Sequence, residues 1–122
     1  MPKKILIVED EALLSDLLRK KLIAEGYDVT VCEDGQKGLD SMKKEIPDLI
    51  LLDIVMPNKN GFEVMEEMQK DKNLKDIPVV IISNSGQPVE IDRAKNSGAR
   101  DWLIKTEFEP LEVLKKVKKQ IG

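Results

Sequence analysis

Lys4-Ile5-Leu6-Ile7-Val8 runs directly into Glu9-Asp10-Glu11. The apolar run is too short for a helix, and its lack of alternation fits a strand buried on both faces. Leu13, Leu14, Leu17, Leu18 and Leu22 then recur at helical spacing, and Gly26 supplies the stop. The same strand-then-helix unit repeats down the chain. Further strands are expected at 29–32, at 49–52 after Pro47-Asp48, at 79–82 after Pro78, and at 102–104. A second helix is expected over 36–44 with Leu39 and Met42 inward, and a third over 62–70, burying Phe62, Val64 or Met65, and Met68. A weakly amphipathic fourth helix covers 89–97 and stops at Gly98. The last begins near Pro110, a good first-turn residue, with Leu111, Leu114, Val117 and Ile121 inward. Such alternation implies an α/β fold: a doubly wound, five-stranded parallel sheet with five helices on its two faces. Ligands of these sheets bind at the carboxyl ends of the strands, near a topological switch point.

The 122 residues fit one domain, 1–122, with a single sound core. The net charge of −3, with both signs spread along the chain, argues against a nucleic-acid binder, which carries a basic stripe or total. Lys115, Lys116, Lys118 and Lys119 are the local exception, read as a solvated helix face or a docking surface. The single cysteine, Cys32, cannot form an internal disulfide, which fits a reducing cytosol. No apolar run approaches the ~18 residues of a membrane helix, and the start lacks a signal-peptide core. A cytoplasmic protein without membrane contact is expected. Histidine is absent, which removes histidine catalysis, phosphohistidine carriage and most zinc sites.

Four strand ends carry chemistry: Glu9, Asp10 and Glu11 after the first, Asp53 after the third, Ser83 after the fourth and Lys105 after the fifth. Each has a plain structural reading. Asp10 can cap the first helix, Asp53 and Ser83 can serve turns, and Lys105 can be a surface lysine. Caps and turns do not explain a lysine and a hydroxyl converging on one acidic edge. Crowded carboxylates repel until one takes a proton or a cation fills the site. A hard cation such as Mg²⁺ binds through one or two carboxylates and keeps positions for phosphate oxygens. A carboxylate beside metal and lysine can act as a nucleophile and form an acyl phosphate.

Ile7-Val8-Glu9-Asp10-Glu11, Asp53-Ile54-Val55-Met56-Pro57 with Gly61, Ile82-Ser83, and Gly98-Ala99-Arg100-Asp101-Trp102-Leu103-Ile104-Lys105 together resemble the receiver domain of bacterial two-component response regulators. The resemblance covers the whole chain. It implies the flavodoxin-like receiver topology with strand order 2-1-3-4-5. It implies Asp53 as phosphoacceptor, and Mg²⁺ held by Glu9, Asp10, Asp53 and the Val55 carbonyl. Ser83 and Lys105 would bind phosphoryl oxygens, and Trp102 would be the switch aromatic coupled to Ser83. The donor would be a histidine kinase or phosphotransfer protein, and the output a changed surface on helix four, strand five and helix five. That surface would meet a downstream protein, or pair two phosphorylated copies. The chain would be a regulator rather than an enzyme, catalysing only its own phosphorylation and dephosphorylation. Its end at Gly122 leaves two expectations: a stand-alone receiver, or one part of a longer regulator.

Three positions depart from the family pattern: Thr106 where proline usually follows the lysine, Trp102 for tyrosine or phenylalanine, and Asn84 for alanine or glycine. With Thr106 the Lys105–Thr106 peptide is expected trans, because cis before a non-proline costs roughly 2.5–4 kcal/mol. Two other classes remain as alternatives. A Mg²⁺-dependent aspartyl-phosphate phosphatase usually needs an acid two residues past the nucleophile, where this chain has Val55. A flavodoxin-like mononucleotide carrier would want a phosphate-cradling loop after strand one, where this chain has three acids.

Overall fold

The computed structural model describes residues 2–84, 86–105 and 109–122. Its strands are β1 (Lys4–Val8), β2 (Asp28–Cys32), β3 (Leu49–Asp53), β4 (Val79–Ser83) and β5 (Asp101–Ile104). Its helices are α1 (Ala12–Ala24), α2 (Gly35–Lys44), α3 (Gly61–Gln69), α4 (Pro88–Asn96) and α5 (Pro110–Ile121). The strands pair in parallel in the order β2-β1-β3-β4-β5. The order reverses between β1 and β3, so the carboxyl ends of these two strands open onto the switch point.

β3 and β4 are buried along their whole length, and each is apolar until its last residue. Those last residues are Asp53 and Ser83, paired in register with Ile82 and Ile104. Both therefore belong to the sheet, one residue beyond the apolar runs that mark the strands in the sequence. The edge strand β2 is mostly exposed.

Strand alternation divides the core in two. Leu6, Val8, Ile50, Leu52, Val79 and Ile81 pack against Leu39 and Met42 of α2, Phe62, Val64, Met65 and Met68 of α3, and Ala94 of α4. On the other face Ile5, Ile7, Leu49, Leu51, Val80, Ile82 and Leu103 pack against Leu18 and Leu22 of α1 and Val113, Leu114 and Val117 of α5. Both Val64 and Met65 are buried.

Two helix faces differ from expectation. Leu13 and Leu17 are 92% and 50% exposed, while Ser15, Leu18 and Leu22 are buried. At about 100° per residue, positions 15, 18 and 22 fall within about 60° of one another, and 13 and 17 lie outside that arc. Five leucines are more than one stripe can hold. Leu111 is likewise exposed, and Val113 takes the inward place beside Val117. Leu111 lies about 60° beyond Leu114 at the margin of the arc. In the lysine cluster, Lys116 pairs with Asp101 at 2.8 Å and Lys118 with Glu25 at 3.5 Å.

Among the described residues no helix is long and apolar enough to cross a membrane. The expected trans Lys105–Thr106 peptide lies outside the described residues.

Candidate functional site

β1 delivers Glu9 directly. Its backbone N–H continues the ladder to the Cys32 carbonyl at 2.9 Å, and the residue is 1% exposed. The Glu11 N–H donates to Glu9 Oε2 at 2.9 Å, which turns the carboxylate across the end of the sheet. Asp53 is buried at the end of β3, and its Oδ1 accepts the Val55 N–H at 3.3 Å. Asp10 follows Glu9 and is exposed.

Lys105 is steered by its backbone, whose N–H donates to the Ser83 carbonyl at 2.7 Å. Its buried ammonium donates to Glu9 Oε2 at 3.1 Å, Asp53 Oδ2 at 3.1 Å and Glu11 Oε1 at 3.0 Å. Glu9 Oε1 also lies 2.8 Å from Nζ, in ion-pair contact but without the alignment of a hydrogen bond.

One cation facing three carboxylates leaves the site short of positive charge. Burial pushes the Glu9 carboxyl up to about 7, with Lys105 and the Glu11 N–H pulling against it and Asp53 adding to it. Burial also raises Asp53, opposed chiefly by Lys105. For Lys105, burial disfavours the charge, but the bonds to Glu9, Glu11 and Asp53 outweigh it and raise its pKa. The ammonium is held charged while the two buried acids are poised for a second neutralising partner.

A divalent cation fits that place. Oxygens of Glu9, Asp10 and Asp53 come within 4.8 Å of one another, a hard, all-oxygen donor set. A cleft of about 240 Å³ opens over it, lined by Asp10, Asp53, Val55, Ser83 and Lys105. Gly61 packs against the backbone at the end of β3. Its N–H donates to the Ile54 carbonyl at 2.8 Å, and a Cβ there would stand 2.5 Å from the Asp53 carbonyl oxygen.

Glu9, Asp10, Asp53, Val55, Ser83 and Lys105 thus sit at one end of the sheet. Ser83 is 4% exposed and lines the cleft beside Asp53. Trp102 pairs in register with Ile81, is half-buried, and packs against the α2/α3/α4 side of the core. Ser83 and Trp102 therefore lie on the same face of the sheet. The sequence placed Glu11 at the same strand end but gave it no specific role, and did not foresee it as the third carboxylate on Lys105. It also missed Asp34 and Asn58, which meet at 3.0 Å beside the loop after β3.

The DNA-binding dual master transcriptional regulator RpaA of Synechocystis sp. is 38% identical over 118 residues, covering 97% of this chain and 48% of that protein. The chain spans about half the length of the curated relatives it matches. The chemotaxis protein CheY4 of Vibrio cholerae superposes with a TM-score of 0.93 at 27% identity, covering 99% of this chain and 100% of that one. The same fold occurs in the receiver domain of the sensor histidine kinase PA1611 of Pseudomonas aeruginosa, at 24% identity and a TM-score of 0.90. The match covers 100% of this chain and 99% of that one, and that structure has a magnesium ion coordinated in its active-site cleft. The family model of the response regulator receiver domain matches residues 5–118, and the chain belongs to that family of phosphoacceptor signalling switches.

Proposed function

We propose that Asp53 is the phosphoacceptor of this receiver, with Glu9, Asp10, Asp53 and the Val55 carbonyl as ligands of Mg²⁺. The observation that carries this is the Lys105 ammonium, hydrogen-bonded to Asp53 and Glu9 inside an acidic triad. Bound there, Mg²⁺ supplies the positive charge that lets an anionic phosphoryl group approach carboxylates.

The chain's own groups do the rest. An Asp53 carboxylate oxygen attacks the phosphorus of a phosphohistidine on a kinase or phosphotransfer protein. The new P–O bond makes an acyl phosphate while the P–N bond breaks, and its electron pair stays on the imidazole nitrogen. Lys105 turns from the carboxylates toward a phosphoryl oxygen, and the Ser83 hydroxyl donates to another. Hydrolysis reverses the state, so the chain promotes only its own phosphorylation and dephosphorylation.

As Ser83 closes on the phosphoryl group, Trp102 shifts on the same face of the sheet and the α4–β5–α5 surface changes. That surface meets a downstream protein or pairs two phosphorylated copies. With no basic stripe, this domain does not itself hold nucleic acid.

A small phosphodonor such as acetyl phosphate, with Mg²⁺, should add one phosphoryl group by intact mass. Asp53→Asn should add none. Full labelling of that variant would contradict the assignment.

A further inference from the structure

Asp34 is 5% exposed and stands at the N-cap of α2, far from β3 in sequence. Its Oδ1 accepts the Lys37 N–H at 2.8 Å and caps the helix. Its Oδ2 does something a cap does not need: it accepts the Asn58 Nδ2–H at 3.0 Å, from the loop between Asp53 and α3. Asn58 is the one described non-glycine residue with positive φ, +66°, a conformation that asparagine tolerates better than most residues. The two segments also touch backbone to backbone, since a Cβ on Gly35 would lie 2.1 Å from the Lys59 carbonyl oxygen. The far end of the loop is closed by Gly61 N–H to Ile54 O at 2.8 Å. Between these fixed points sits Val55, whose N–H reaches Asp53 Oδ1.

We propose that the Asp34–Asn58 bond is a strut that positions residues 54–60, and through them the Val55 carbonyl, for the divalent cation at Asp53. Asp34 and Asn58 are positioning residues, touching neither metal nor phosphoryl group. The inference rests on the proposed metal site for its consequence, though not for the strut itself.

A charge-swap cycle tests it. Asn58→Asp sets two carboxylates face to face, and Asp34→Asn with Asn58→Asp restores a donor–acceptor pair of opposite sense while keeping a good N-cap. Asn58→Gly removes the amide and keeps the left-handed backbone. By calorimetry, Asn58→Asp and Asn58→Gly should weaken Mg²⁺ binding roughly tenfold, the low end for outer-shell partners of metal ligands. The swapped pair should recover most of it. In metal-free protein the amides of 54–60 should exchange faster in Asn58→Asp and return toward wild type in the swap. Unchanged Mg²⁺ affinity in the folded single variants overturns the proposal, as does exchange that the swap does not restore. If the wild-type chain binds no Mg²⁺, the metal site itself falls, and the exchange cycle alone decides the strut.

Discussion

α3 and α4 are both nine residues long, and each adjoins the cleft over Asp53, one through Val55 in the loop before it and the other through Glu90. Their anchoring differs. α3 buries Gly61, Phe62, Val64, Met65 and Met68 and opens with a capping box in which Asn60 and Glu63 bond each other's backbone N–H. α4 buries only Ala94 and has no side-chain cap. Its Arg93 lies 4.0 Å from the centroid of the Phe62 ring, a contact worth about 0.5–1 kcal/mol when exposed. A switch needs both kinds of wall. One is anchored by five buried residues and a capping box, and the other has the sparse burial of segments that open at low free energy.

The largest expected effect tests this contrast directly. Met65→Ala in α3 removes a buried side chain and should cost about 2–5 kcal/mol in denaturant unfolding. Val89→Ala in α4, at an exposed position, should stay within about 0.5 kcal/mol. Comparable costs would remove the distinction between the two walls.

The acidic floor between the walls gives the next effect. Glu9, raised from its ordinary 4.5 to about 7, keeps a proton in the folded chain where the unfolded chain has lost it. Asp53 is shifted in the same direction. Between those limits the folded state binds more protons, so unfolding free energy falls as pH rises. Asp34 and Asp101 are lowered, so their support is lost only in more acid solution. Metal-free protein should melt higher near pH 5.5 than near pH 7.5, and saturating Mg²⁺ should shrink the difference. The opposite slope would mean that the buried acids are already neutralised within the fold.

The smallest effect concerns the sheet face that α4 covers, where Trp102 packs. Trp102 is the only tryptophan, and beryllofluoride with Mg²⁺ should shift its emission relative to Mg²⁺ alone. Asp53→Ala should abolish the shift. If calorimetry shows the mimic bound while emission and quencher access stay fixed, Trp102 only packs and the signal travels by another route.

β1, β3 and β4 were legible because strands buried on both faces leave unbroken apolar runs. Their ends were less so. Asp53 and Ser83 are polar yet buried inside the sheet, and a reading by hydrophobicity stops one residue before each. On α1 and α5, spacing identified helices, but only the arc that faces the sheet decides that Leu13, Leu17 and Leu111 stay out and Val113 goes in. At the site, the residue types at the strand ends pointed to an acidic cluster with a lysine among it, whereas Glu11 looked no different from its two acidic neighbours. The Asp34–Asn58 contact joins residues 24 apart through packing of α2 beside the loop, which no local pattern records.

The proposed switch turns on a phosphoryl group residing on Asp53, and chemical trapping locates it. Borohydride reduces an aspartyl phosphate to homoserine and leaves unmodified aspartate intact. The protein should be phosphorylated by a small donor with Mg²⁺, reduced, digested and mapped by peptide mass spectrometry. Homoserine is expected at position 53 alone, dependent on both donor and Mg²⁺. Homoserine at Asp10 or elsewhere, with Asp53 unchanged in a phosphorylated sample, would contradict it.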